Sequence, residues 1–537
     1  MEHRVIALET PAATRPWPLL ALWVAVSLAG VWKAFHIDDS AHLLIAQWIA
    51  GHPLHPMRGM LNWDGIDEPI WRTNQPHLWF YVMAGWGSVF GWSEPALHAL
   101  TALATLAATL LLRRLGQVVA PRHADWIAAV FLAGPAVAVG GNVMVDVPLV
   151  ACWLAMFACL CAWPEGGSQH ARFGWAAAAL SAALLVKYSS LCLLPVLWAA
   201  LLWERRWRQL WAGAVPLAVL AAWSAFNWWD YGGIHMLGRT TAGSGEGMLR
   251  FAAGWVMVLG AITPAGLVWA AALLPRRGRV ALIAGSMAGF AGLYAALATG
   301  VMGDVLAERL LWALFAANGG LAAAALLPAA LRLPARDAQA VRLGYLLLWV
   351  AGASAFYLLF TPFLAARHSL LIVPPVLLLG GWALGPRLGR GAKAFGIGAA
   401  LVASLGTGIA DARFAGFWRR AVPEAAAVAT GGRRFVNGHW GLQAYAGHAG
   451  FAELDIRRTD WRAGDWLLVG THVARHAPKH PPARLERVLD IRQRRGPLDL
   501  FCTSQQGRFY AAGATFPPWT LARDCAEQLR LYRVVTR

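Results

Sequence analysis

The sequence predicts an all-α protein that crosses a membrane about 13 times, followed by a small α/β region, and three observations carry that prediction. Of 537 residues, 58% are hydrophobic and only 14% charged, with a mean hydropathy of +0.49, which lies outside ordinary soluble domains. Apolar runs recur from Leu19 to about Ala410, each near the ~20 residues a helix needs to cross a hydrocarbon core. The basic residues gather in alternate loops, as the orientation signals of membrane proteins do.

Taken in order, spans are expected at 17–35, 95–113, 124–141, 147–163, 172–187, 189–204, 209–229, 251–274, 280–301, 305–331, 343–362, 368–385 and 393–410. Arg4 and Arg15 precede the first. Arg113, Arg114 and Arg122 follow, then Arg172; Arg205, Arg206 and Arg208; Arg276, Arg277 and Arg279; Arg332, Arg336 and Arg342; and Arg387, Arg390 and Lys393. These are 18 of the 26 Lys and Arg ahead of residue 411, and they mark the cytoplasmic side. The net charge of +18 therefore reflects orientation, and no nucleic-acid partner is expected. The apolar stretch 76–92 is left out of the count, because as a span it would send every later basic loop to the wrong side. Its Trp and Tyr suit a helix lying at the interface. The first span has no cleavage pattern behind it and is expected to stay as an anchor.

This topology puts 36–94, 142–147, 187–189, 230–250, 302–304, 363–367 and everything after 410 on the outer, periplasmic side. Two regions result: 1–410, with 36–94 as its large outer loop, and 411–537. The second alternates β-like runs ("RRFVNGHW", "DWLLVG", "RLERVLDI", "RFYAAG", "LRLYRVV") with a helix-like "GLQAYAGHAG". Its 20 Lys and Arg against 11 Asp and Glu suit anionic lipid headgroups or an acidic acceptor, or a merely solvated basic surface. Cys152, Cys159, Cys161 and Cys192 lie in apolar segments as packing residues. Cys502 and Cys525 can pair if the tail sits in an oxidising compartment.

Ionisable groups beside a span are costly and point to function. Asp38 and Asp39 follow the first span, and Asp146 stands between two others, where it can serve as a helix cap. Two carboxylates facing one outer water layer suit a base with an orienting partner, or ligands for a divalent metal. On the same side, Arg367 and His368 open a span and Lys187 sits at a boundary. A guanidinium fork and an ammonium match the oxygens of a phosphate. The outer loop adds Arg72, Gln75 and His77. His52 and His55 have a metal-ligand spacing, but Pro53 and Pro56 argue against the helix it needs.

In order along the chain, the acid pair, "NWDGIDEPIWRTNQPHLWFYVMAGWGSVFGWSEPALHAL", "GGNVMVDVPLVACWLA", "LLVKYSSL" and "RHSLLIVPP" resemble landmarks of bacterial family 39 glycosyltransferases of the GT-C class. That group is similar to protein O-mannosyltransferases and to the enzyme that adds aminoarabinose to lipid A. The resemblance covers most of residues 30–390, and "FVNGHWGLQAYAGHAG" resembles the periplasmic portion of some members. It implies a GT-C membrane fold in a bacterial inner membrane. It also implies an enzyme that takes a sugar from a polyprenyl-phosphate carrier at the outer face and passes it, with inversion, to a hydroxyl of a protein, lipid or glycan.

Carried over, Asp38 is the acid that activates the acceptor, Asp39 stands where many members have Glu, and Asp146 is a second acid that orients substrate or a metal. Arg367 and Lys187, with His368 beside them, hold the lipid phosphate, and Arg72, Gln75 and His77 belong to a substrate loop. The chemistry asks for no cofactor other than a divalent metal ion, whose need is left open. Two departures stand out. Many members carry two prolines, often after Lys or His, where this chain has Asn74 to His77, and some lipid A-type members have Arg where it has Ala41 and His42. A transporter or flippase of a lipid-linked or polar solute would also keep charges in a membrane cavity, and a non-catalytic scaffold is a third reading. The charges, however, gather on one face and no inverted repeat is visible.

Overall fold

Proline and the ends of apolar runs decide where this chain's helices stop. The computed structural model describes residues 16–73, 75–238, 247–335, 337–496, 499–503, 508–510 and 516–536. Arg4, Arg15, Asn74, Arg336 and part of the 230–250 loop lie outside them. α1 (Trp17–Val31) opens behind Pro16 and leaves Trp17, Leu28 and, just past its end, Trp32 exposed. The outer loop follows: α2 (Asp39–Gly51), a hairpin of β1 (Met60–Asn62) and β2 (Asp67–Pro69), α3 (Ile70–Thr73) and α4 (Leu78–Phe90). α4 has 13 residues, too few for a hydrocarbon core of about 30 Å. It buries Trp79, Phe80 and Met83 and packs against α2.

The helical body continues through α5 (Glu94–Val119), α6 (Ala124–Leu132), α7 (Pro135–Ala138), α8 (Asp146–Cys161), α9 (Gln169–Val186), α10 (Leu194–Trp203) and α11 (Trp211–Tyr231). It closes with α12 (Met248–Ile262), α13 (Ala265–Leu273), α14 (Arg276–Ala298), α15 (Asp304–Ala324), α16 (Leu327–Arg332), α17 (Ala338–Phe360), α18 (Ala366–Leu370), α19 (Val373–Leu384) and α20 (Arg390–Val428). Every stretch read as a span carries a helix, but not as thirteen continuous spans. Among the described residues six segments are long and apolar enough to cross, and the pair α12–α13, bent by 82°, can count as a seventh. Pro135, Pro264 and the pair Pro374–Pro375 explain the breaks before α7, α13 and α19. Each removes a backbone donor and crowds the preceding turn. The six include α14, an apolar helix in which only Leu297 is buried. Such a surface is stable only against lipid, and the chain is a multi-pass membrane protein.

The thirteenth helix does not end at 410. α20 runs 39 residues to Val428 because Phe414, Phe417, Trp418, Ala421, Val422 and Ala425 prolong a buried stripe at helical spacing. Beyond it come β3 (Arg434–Asn437), α21 (Trp440–His448), β4 (Ala452–Glu453), β5 (Trp466–Gly470), β6 (Arg484–Arg492), β7 (Phe501–Cys502), β8 (Thr520–Leu521) and β9 (Gln528–Thr536). A mixed sheet in the order β4-β3-β5-β9-β6 places the wholly buried WLLVG of β5 at its centre. The charged β6 forms an edge, a composition that discourages further pairing. Arg508 to Tyr510 form a turn where a strand is expected; the rest of "RFYAAG" lies outside the described residues. Cys502 and Cys525 are bonded, with Cα atoms 6.1 Å apart.

Candidate active site

The turn that carries Asp38 lies between α1 and α2, after residues 32–36. Ile37 there has φ 50° and is buried, a conformation that costs a β-branched residue roughly 1–3 kcal/mol and persists only under constraint from its surroundings. Asp39 supplies part of the constraint. One of its oxygens accepts the N–H of His36 at 2.9 Å and the other the N–H of Val143 at 2.8 Å, tying the turn to the link before α8. Burial pushes the Asp39 carboxyl up to about 7, against the pull of those two N–H groups and of Lys33. Asp38, at the N-cap of α2, makes no side-chain cap bond. Its carboxylate pairs with Arg367 Nη1 at 2.6 Å. Burial raises its pKa, but Arg367, with His42 and Lys187, overcomes that and holds it below the ordinary carboxylate value.

Asp146 opens α8 and pairs with Lys187 Nζ at 2.8 Å. Lys187 is in reach because α9 ends there in an extended residue before a tight turn. The second Asp146 oxygen and Arg367 Nε are buried without a hydrogen-bond partner. Arg367 lies near Asp146 as well as Asp38, and Lys187 near Asp38 as well as Asp146, so the four make one charge cluster. Two acids and two bases from α2, α8, the end of α9 and α18 thus meet, and their formal charges cancel.

His368 borders this cluster, near Lys187 and Arg367, and the remaining candidates fall elsewhere. His368 is buried and stacks on Tyr357, with ring centroids 4.5 Å apart. His77 is fully buried beside Phe80 and Trp223, with neither ring nitrogen hydrogen-bonded. Arg72 is half exposed, pairs with Glu68 at 3.1 Å and lies over Trp71, while Gln75 is half-buried. His52 stacks on Trp48 and His55 bonds Asp230 at 2.8 Å. Among the described residues no group of three or more His, Cys, Asp or Glu side chains is placed to hold a metal.

A second buried cluster escaped the sequence reading. Lys33, just past α1, forms an ion pair with Asp411 of α20 and donates to Asn142 Oδ1 at 2.5 Å. Tyr510 and Thr503 also bond Asp411, at 2.8 and 3.1 Å, and His36 Nε2 lies 3.5 Å from it. The apolar stripe at 414–425 was the available signal: it keeps residue 411 inside a helix and not at the start of a soluble tail.

Residues 74–229 match the family described as dolichyl-phosphate-mannose-protein mannosyltransferase. The match takes in Asp146 and Lys187 and leaves Asp38 and Arg367 outside. No curated protein matches the chain. Among solved structures, ArnT from Cupriavidus metallidurans bound to undecaprenyl phosphate aligns at 15% identity over 86% of this chain and 93% of that one, with a TM-score of 0.41. The oligosaccharyltransferase AglB from Archaeoglobus fulgidus, in complex with an inhibitory peptide and a dolichol-phosphate, aligns at 13% identity over 82% and 65%, with a TM-score of 0.43.

Proposed function

We propose that this chain is a GT-C-type membrane glycosyltransferase that moves a sugar from a polyprenyl-phosphate donor to an acceptor hydroxyl at the periplasmic face of a bacterial inner membrane. The observation that carries the reading is the paired cluster Asp38–Arg367 and Asp146–Lys187. The family match supplies the donor class, a polyprenyl-type phosphate bearing a sugar. The Cys502–Cys525 bond supports an oxidising compartment for the tail, hence the outer face.

Transfer with inversion needs a base at the acceptor hydroxyl and positive charge at the departing phosphate. The acceptor oxygen attacks the anomeric carbon, the carbon–phosphate oxygen bond breaks, and the polyprenyl phosphate leaves with the electron pair. Asp38 takes the acceptor proton. A phosphate leaves without protonation, so no second carboxylic acid is required, unlike the pair in glycosidases. Arg367 now neutralises Asp38. An arriving phosphate competes for that guanidinium, loosens its hold and frees the carboxylate to act as base, so donor binding arms the site. Lys187 adds a second cation, and Asp146 orients it. The acceptor is a hydroxyl of a protein, lipid or glycan.

The test is consumption of a panel of labelled polyprenyl-phosphate sugars by the purified chain in lipid, wild type against Asp38→Asn. One donor should be consumed, and the substitution should slow it by about 10²-fold or more, the usual scale for a lost general base. Equal turnover would remove Asp38 from the chemistry, and a panel left intact by the wild type would overturn the transferase reading.

A further inference from the structure

Three consecutive residues of the C-terminal region dock on the membrane domain, two of them beside its site. Arg508 pairs with Glu308 of α15. The carbonyl of Phe509 accepts the backbone N–H of Ala366 at 3.1 Å, on the residue before Arg367. The Tyr510 hydroxyl donates to Asp411 at 2.8 Å and accepts from Asn142 Nδ2, also at 2.8 Å. Asn142 is the neighbour of Val143, whose N–H is held by Asp39. Phe509 and Tyr510 are 1% and 3% exposed, so these bonds are shielded from water.

The stretch lies inside the loop closed by Cys502 and Cys525. The returning side of that loop is fastened as firmly: Trp519 Nε1 donates to the Ala261 carbonyl at 2.8 Å, and the N–H groups of Arg523 and Asp524 donate to Asp304 at the start of α15, each at 3.1 Å.

A loop that merely covered the surface would not need to complete a buried ion pair. Lys33 and Asp411 are 8% and 0% exposed, and such a pair is tolerated only when its remaining lone pairs are bonded. Tyr510 helps to supply those bonds. The segments that carry the chemistry have little support of their own: Asp38 follows the strained Ile37, in a turn whose internal side-chain bond is that of Asp39 to the His36 N–H, and Arg367 belongs to a five-residue helix. One is braced through Tyr510, Asn142 and the Val143–Asp39 link, the other through Phe509.

We propose that residues 508–510 are a positioning strap, through which the disulfide-closed loop of the C-terminal region sets the separation of Arg367 from the Asp38–Asp39 turn. Phe509 and Tyr510 are positioning residues. The activity part of the test rests on the transferase reading, whereas the exchange part does not.

The experiment uses the full chain in lipid nanodiscs, as wild type, Tyr510→Phe, and the double variant Cys502→Ser/Cys525→Ser. Backbone hydrogen exchange is followed at 140–146 and 364–370, together with kcat and KM for the consumed donor. Both segments should exchange about tenfold faster in the variants, while α5 and β5 keep the wild-type rate. Donor KM should stay within about threefold while kcat falls about tenfold or more, because misplacement of reacting groups acts on the chemical step. If the double variant exchanges faster everywhere, Tyr510→Phe, which keeps the ring, decides. Wild-type exchange at both segments in Tyr510→Phe overturns the strap, and so does an unchanged kcat. If the wild type consumes no donor, the transferase reading falls and the strap stands or falls on exchange alone.

Discussion

Asp38 stands at a helix N-cap without a side-chain cap bond, whereas its neighbour Asp39 holds two backbone N–H groups and forms no ion pair among the described residues. The two acids, adjacent in sequence, therefore divide the labour: one is free to exchange partners and the other fixes the turn. Their pKa values move in opposite directions: burial dominates at Asp39, whereas at the half-buried Asp38 the Arg367 guanidinium outweighs it. A pH dependence follows for Asp39. Its folded value is raised from 3.8 to about 7, so between those limits the fold holds a proton that the unfolded chain has released. Stability from this group is full below the lower limit and is lost as pH rises through about 7, each unit being worth about 1.4 kcal/mol. Asp39→Asn cannot ionise, and its amide must also point an N–H at one of the two donors. The wild type should thus melt above the variant at pH 5, and the gap should narrow steadily towards pH 8 in lipid nanodiscs. A gap independent of pH would show that Asp39 does not titrate in this range.

At the scale of elements, the bend that Pro264 opens between α12 and α13 is held by one side chain. Asn318 of α15 donates to the carbonyls of Gly260 and Thr263, each at 2.7 Å, and accepts the N–H of Leu267 at 2.9 Å. These are the backbone groups that a broken helix leaves open, and within a membrane they have no water to turn to. Gly260 and Gly319 let α12 and α15 approach closely enough for this, since a Cβ on either would lie 1.9 Å from a carbonyl oxygen of the other helix. Asn318→Leu should lower stability by at least ~2 kcal/mol, read as a drop in melting temperature in detergent; an unchanged melt would mean that the bend holds itself. The sequence shows the elements well and their breaks poorly. "WLLVG", "RLERVLDI" and "LRLYRVV" are strands as their alternation and bulk imply, and "GLQAYAGHAG" is the helix α21. Apolar runs locate helices because burial in lipid requires them. They do not reveal whether Pro135 or Pro264 opens a new helix or ends an old one, since that depends on partners such as Asn318 that lie far away in sequence. The same limit applies to the site. Asp38, Asp146, Lys187 and Arg367 were legible as charges at span ends, but their pairing was not, and Tyr510 carried no sign of its role because its partners are 99 and 368 residues away.

At the scale of the whole molecule, the charge pattern and the placement of the site make one topological claim. Arg172 of the alternate loops lies away from the acid–base cluster: it donates to the carbonyls of Cys159 and Leu160, at the end of α8 opposite Asp146, and is bound by Glu204, while Arg113 is bound by Asp125. The outer loop, in contrast, is bonded to the C-terminal sheet region through Gly65 to Ile456 at 2.8 Å and Gln443 to Asn62 at 3.0 Å, so loop, tail and cluster share one side. In the proposed topology the positive loops stay in the cytoplasm and that side is the outer one. Single cysteines introduced as Glu165→Cys and Lys479→Cys, each at an exposed position, test this in a parent lacking the four free cysteines. A membrane-impermeant maleimide should label position 479 in intact cells and position 165 only after permeabilisation. The reverse pattern would place Asp38 in the cytoplasm and the Cys502–Cys525 bond in a reducing compartment, where it would not persist. Outer-face transfer and the disulfide-closed strap would then fail together, because both depend on the same side of the membrane.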